Sequence, residues 1–256
     1  MKNLIPVLLV LFSYPALTQM DTVLYENFQT NTVESMNDNA TDQSVWANVD
    51  QDGLPSILGT DVSKRWYWGE FFHSPLDSVT GETNYVAISI SYLEGFLPGN
   101  RNWIVLPEIE VTDDSYELSW RSAPDQLPRY MDGYTVLIST TDRFSDSFDE
   151  TLFKAASMES ISGDGQSTDF SNFVFTDGYI HADGGTLEEY VLLGDGTINY
   201  GFLEPHNMSL AAYAGQTIHI AFLHDSDDDN RLALDDILVT KASGPSQLVE
   251  LDEINI

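Results

Sequence analysis

The 256-residue chain carries 41 Asp and Glu against 10 Lys and Arg, a formal net charge of −31. No basic patch can offset that charge near phosphates, which argues against nucleic acid and anionic membrane surfaces as partners. Apolar residues at 42% and aromatics at 12% are ample for a core, so the charge marks an acidic surface and not a disordered chain.

Residues 1–19 read as an export signal: Lys2 gives the positive start, Leu4 to Phe12 the apolar run, and Ala16-Leu17-Thr18 a small-residue cleavage site before Gln19. The run is too short to span a bilayer, and no later segment approaches that length. The expectation is a soluble, secreted or surface-exposed domain over 20–241, followed by a linker and acidic tail over 242–256. The chain has no cysteine, so metal or core packing must supply the stability that disulfides give many exported domains.

Thr22 to Phe28 (TVLYENF) is the first expected strand. Leu24, Glu26 and Phe28 share a face, which sets a carboxylate among apolar neighbours; an edge-strand charge that discourages aggregation is the alternative. In Trp46 to Gly53 (WANVDQDG), Asp50 and Asp52 stand two apart before a glycine, like the first half of an EF-hand loop, or like an ordinary turn. Trp66, Trp68, Phe71, Phe72 and His73 form an aromatic cluster in a loop-like setting, which core packing explains more often than ligand stacking.

Strands follow at Tyr85–Leu93, Trp103–Leu106, Tyr116–Trp120 and Tyr134–Thr140, separated by turn signals such as Leu97-Pro98-Gly99-Asn100 and Met131-Asp132-Gly133. Short strands at even spacing, with almost no helical periodicity, predict an all-β antiparallel sandwich. Residues 145–160 have room for a helical turn. The stretch 155–205 is less regular and reads as an insertion, either a long loop or one or two extra hairpins.

The segment 211–239 is the most informative. Ile218, Ile220 and Phe222 alternate with Thr217, His219 and Ala221 as in a half-buried strand, and an acidic turn from Asp225 leads to a second strand, Leu232–Val239. On strict alternation Leu232, Leu234, Asp236 and Leu238 share one face, and Ala233, Asp235, Ile237 and Val239 the other. A carboxylate therefore turns inward either way. A buried carboxylate requires a cation, N–H donors or a shifted pKa, and with so few Lys and Arg a metal ion is the expected partner.

Asp225, Asp227, Asp229 and Asp236 fall at positions 1, 3, 5 and 12 of an EF-hand frame counted from Asp225. Position 6 is Asn230 instead of Gly and the flanks read as strands, which disfavours a true EF-hand. No catalytic residue is assigned. There is no thiol nucleophile and no Gly-x-Ser-x-Gly elbow, and His73, His181, His206, His219 and His224 lack metalloprotease spacing. Glu108, Glu110, Asp113 and Asp114 are the nearest candidates for a glycosidase carboxylate pair, with no trusted signature.

LYENF, WANVDQDG, NWIVLPEIEV, YELSWRSA, GYTVLISTT and above all LAAYAGQTIHIAFLHDS followed by LALDDILV together resemble the cleaved-adhesin, or choice-of-anchor J, domains, which are MAM-like. The resemblance runs from about Leu24 to Val239. It implies a jelly-roll sandwich and a non-catalytic, calcium-stabilised adhesion module that engages a glycan or an extracellular protein. It also implies calcium ligands at Glu26, at Asp50 and Asp52, and at Asp235 and Asp236. The chain departs from the family pattern in Leu54-Pro55 after the Asp-x-Asp-Gly turn, in a longer 155–205 stretch, and in showing no sorting domain after Ala242. A polysaccharide hydrolase and a purely structural cell-envelope component are the alternatives.

Overall fold

A computed structural model describes residues 19–57, 65–72, 80–95, 97, 99–125, 132–155, 203–226 and 230–243, with strand pieces at 159–160, 173–174, 191–193 and 199–201. The strands are β1 (Met20–Glu26), β2 (Ala47–Asp50), β3 (Tyr67–Glu70), β4 (Tyr85–Ile90), β5 (Asn102–Val105), β6 (Ile109–Val111), β7 (Tyr116–Pro124) and β8 (Tyr134–Ser139). They continue as β9 (Glu150–Ala155), β10 (Glu159–Ser160), β11 (Phe173–Val174), β12 (Val191–Leu193), β13 (Asn199–Gly201), β14 (Glu204–Ser209), β15 (Gln216–His224) and β16 (Arg231–Ala242). One sheet has the order β14-β7-β16-β4-β3 with β1 also on β16; the other has β2-β5-β15-β8-β9 with β6 also on β15. All these pairings are antiparallel. Within residues 155–205, β10 pairs with β11 and β12 with β13, both antiparallel.

The two sheets close on one core. Leu118, Trp120, Leu232 and Leu234 from the first meet Ile104, Val136, Ile218, Ile220 and Phe222 from the second, sealed by Phe28 and Trp66. Burying each large apolar side chain contributes roughly 1.5–3 kcal/mol, and this core stands in for the missing disulfides. β15 is not half-buried: Ala221 and Leu223 join Trp103, Val105 and Phe148 in a second cluster on the outer face of their sheet, so the strand is covered on both sides. The aromatic stretch after Arg65 is also more regular than its composition suggests. Tyr67–Glu70 is a strand paired with β4, while His73 lies outside the described residues.

Strict alternation fails in β16, and this changes where the carboxylates go. Asp235 pairs with Arg121 but Leu238 pairs with Ser119, so β16 holds one extra residue against β7. Asp236 takes a left-handed conformation at φ 50, which Asp tolerates better than most non-glycine residues. The bulge flips the parity of the strand. Leu232 and Leu234 face the core before it, Ile237 and Val239 after it, and neither carboxylate enters the core. The expectation of an inward carboxylate is corrected on this point.

Candidate metal site at the strand junction

β7 runs along one edge of β16, and two strands share the other. β4 pairs with residues 231–234, β1 with residues 237–242, and the bulge faces the gap between them. The chain leaving β1 and the chain entering β4 therefore meet beside Asp235 and Asp236. The exit from β1 is fixed locally: Glu26 Oε1 accepts the Phe28 N–H at 2.7 Å, and Phe28, at φ 52, drops its ring into the core. Trp68 Nε1 donates to the Phe28 carbonyl at 2.8 Å, and the Trp68 ring stacks on Tyr85 at 4.1 Å.

Asp235 is 4% exposed. Its Oδ2 accepts from Asn84 Nδ2 at 3.2 Å and its Oδ1 from the Asp236 N–H at 2.8 Å. Gln29 Nε2 donates to Asn84 Oδ1 at 2.9 Å, which ties the end of β1 to the same group. Among the described residues no Lys or Arg is ion-paired with Asp235. Burial, reinforced by the neighbouring Asp236 charge, pushes its carboxyl up to about 7, the mark of an anion without enough compensation. Asp236 points the other way, onto the surface, where Tyr25 donates to it at 2.9 Å and Arg121 Nε lies 3.4 Å away. Burial and that carboxylate raise the Tyr25 phenol to about 12.

The donor set suits a hard cation in kind. Calcium takes six to eight oxygens from carboxylates, amides and main-chain carbonyls. The strands that meet here carry the Asp235 and Glu26 carboxylates and the Asn27 and Asn84 amides, of which Glu26 Oε1, Asn27 Oδ1 and Asn84 Oδ1 accept from Phe28 N–H, Gln29 N–H and Gln29 Nε2. Among the described residues no three His, Asp or Glu side chains are grouped so as to hold a metal alone. An ion here would depend on the amide and main-chain oxygens.

Of the five candidate ligands, Glu26, Asp235 and Asp236 come to this one junction, with Glu26 paired to Ile237. Asp50 and Asp52 stand in the other sheet, at the end of β2 opposite Asn102. There Asp50 Oδ1 accepts from Gly53 N–H and Asp52 Oδ1 from Leu54 N–H, each at 2.7 Å, while Asp52 Oδ2 accepts from Arg101 N–H. In the acidic turn, Asp225 accepts from Thr135 at 3.1 Å; Asp227 and Asp229 lie outside the described residues.

Sequence reasoning missed a fully buried polar network at the far end of β15. His224 Nε2 lies 2.9 Å from Asp132 Oδ1, and His224 Nδ1 lies 2.7 Å from Ser89 Oγ. Asp132 also accepts from Ser91 Oγ and from the Asn230 N–H at 3.0 Å. The composition is that of a Ser-His-Asp triad. Its hydroxyl, imidazole and carboxylate are all closed off from solvent, so the network joins β4, β15 and the segment before β8 instead of presenting a nucleophile.

The fold is thus an antiparallel two-sheet sandwich whose first and last strands are joined. No family profile and no curated protein matches the chain. Among solved structures it is similar to a cleaved adhesin domain of Lys-gingipain from Porphyromonas gingivalis, at 16% identity and a TM-score of 0.51, over 88% of this chain and 99% of that one. A second cleaved adhesin domain of the same protein gives 18% identity and a TM-score of 0.48 over 87% and 99%. A carbohydrate-binding module described for specific mannan recognition gives 9% and 0.40 over 88% and 99%. The cleaved-adhesin resemblance read from the sequence holds at the level of the fold. Among the described residues no helix is long and apolar enough to cross a membrane.

Proposed function

We propose that the chain is an exported, non-catalytic binding module that engages a glycan or an extracellular protein, with a calcium ion clamping the junction of β1, β4 and β16. The observation that supports the clamp is Asp235, a buried carboxylate with no Lys or Arg ion-paired to it among the described residues, at the point where β1, β4 and β16 meet. Calcium bound there would supply the positive charge that Asp235 lacks. Asn84 and Gln29 orient the carboxylate, Glu26 fixes the exit of β1, and Phe28 anchors that exit in the core. Export rests on the charged, apolar and small-residue pattern of residues 1–19. A non-catalytic role is supported by the enclosure of the Ser89–His224–Asp132 network and by the exposure of Glu108, Glu110, Asp113 and Asp114, which stand on the surface and not in a closed site.

An ion that binds only the folded state stabilises it by about 2.7 kcal/mol at a hundredfold excess over its dissociation constant. Thermal unfolding in millimolar calcium and in chelator tests the proposal. The melting temperature rises in calcium; coincident curves overturn the clamp.

A further inference from the structure

The turn that carries Asp50 and Asp52 builds something the calcium reading does not use. Both side chains accept backbone N–H groups, which fixes the turn and projects Gln51 between them. Gln51 is itself held in place. Its Oε1 accepts from Trp103 Nε1 at 2.9 Å and from Arg101 Nε at 2.8 Å, and its Nε2 donates to Ser145 Oγ at 3.1 Å. These groups border a groove of about 400 Å³ on the outer face of the second sheet, floored by Trp103, Val105 and Phe148.

Phe144 stands at the rim, 51% exposed. An aromatic ring turned to water on a loose loop would mean little, but this loop is fastened. Phe144 N–H donates to Asp142 Oδ1 at 3.0 Å, and its carbonyl accepts from Ser147 N–H at 2.9 Å. Next to it, Arg143 is buried and donates to the carbonyls of Asp42, Val45 and Val105. Asp146 and Ser145 bring a carboxylate and a hydroxyl to the same rim.

We infer that this groove is a binding site for a short neutral saccharide, with Phe144 as the platform for a sugar ring and Gln51, Ser145 and Asp146 as partners for its hydroxyls. The inference deepens the reading of the chain as a binding module. Its size falls in the roughly 300–1,000 Å³ range of small-ligand sites, which are mostly apolar with a few fixed polar groups. A protein partner needs a surface of about 800 Å² on each side, more than a single groove offers. The electron-rich face of an aromatic ring attracts the polarised C–H bonds on one side of a pyranose. A fixed amide, hydroxyl and carboxylate together both donate to and accept from hydroxyl groups. A net charge of −31 disfavours acidic sugars.

The test is calorimetric titration of the intact protein in calcium with mannohexaose, cellohexaose and galactohexaose. At least one binds the wild type. Phe144→Ala and Gln51→Ala weaken that binding about tenfold or more, about 1.4 kcal/mol, whereas Phe144→Tyr retains it. Both Phe144 variants keep the wild-type melting temperature, and Gln51→Ala, which strips an acceptor from Trp103 and Arg101, melts lower but is folded at the temperature of the titration. Binding that survives both alanine variants places the saccharide elsewhere and overturns the groove while leaving the module reading intact. Failure of all three sugars at millimolar concentration overturns the saccharide. An extracellular-protein array then decides whether the module reading falls with it.

Discussion

Replacing Asp235 by Asn removes one charge from the junction with almost no change of shape. The wild-type carboxyl is raised from 3.8 to about 7, so the ionised group costs up to about 4 kcal/mol when no cation is present. The folded state holds its proton more tightly than the unfolded chain, so the ionisation cost is absent below about pH 4. Stability in chelator then falls as the pH rises towards 7. Asn keeps an acceptor for the Asp236 N–H but sets its amide against that of Asn84, which loses about one hydrogen bond, roughly 1 kcal/mol. Asp235→Asn is therefore expected to be more stable than wild type by about 3 kcal/mol in chelator at pH 7.5, on the order of 10 °C for a domain of this size. In millimolar calcium the order narrows or reverses, because only the wild type gains from the ion. Urea denaturation at pH 4.5, 6 and 7.5, with chelator or calcium, reads all of these. A variant less stable than wild type in chelator at pH 7.5 would refute the claim that Asp235 is an under-compensated anion.

Three further expectations concern the scaffold. At the left-handed bulge position, Asp236→Gly should lie within about 1 kcal/mol of wild type and Asp236→Val should lose about 2 kcal/mol or more, since a branched side chain resists positive φ; equal urea midpoints would contradict the bulge. Asp132→Ala strips an acceptor from His224, Ser91 and Asn230 in a closed site and should cost about 3–5 kcal/mol, with a loss under 1 kcal/mol counting against the network. Arg143→Met removes three donations to main-chain carbonyls and should cost about 2 kcal/mol. It should also speed protease cleavage between residues 37 and 45, and an unchanged digestion pattern would show that Arg143 does not hold that loop.

Strands with strong apolar alternation, such as Tyr85–Ile90, Tyr134–Ser139 and the pair around the acidic turn, were legible because one or both faces are buried. β14 was not. Glu-Pro-His-Asn-Met-Ser lies at a sheet edge with only alternate residues covered, and its order comes from pairing with β7. The conflict in Leu232–Val239 was visible in the sequence, but period two alone offers no bulge, and the parity flip was read as a buried charge. That reading reached Asp235 by an incomplete route: the residue is buried against the start of β4, not within the sandwich core. The acidic spacing of Asp50 and Asp52 suits cation ligation and backbone capping alike, and only the fold sets their carboxylates against N–H groups. Asp132 and His224 meet across ninety-two residues with no local pattern to announce it.

The most direct measurement is a crystal structure of the intact protein grown in millimolar calcium, with the anomalous signal of the ion recorded. The account predicts a calcium ion about 2.3–2.6 Å from a carboxylate oxygen of Asp235, its remaining ligands drawn from the end of β1 and the start of β4. A junction free of metal under those conditions, or an ion found only at the Asp50–Asp52 turn, would contradict it.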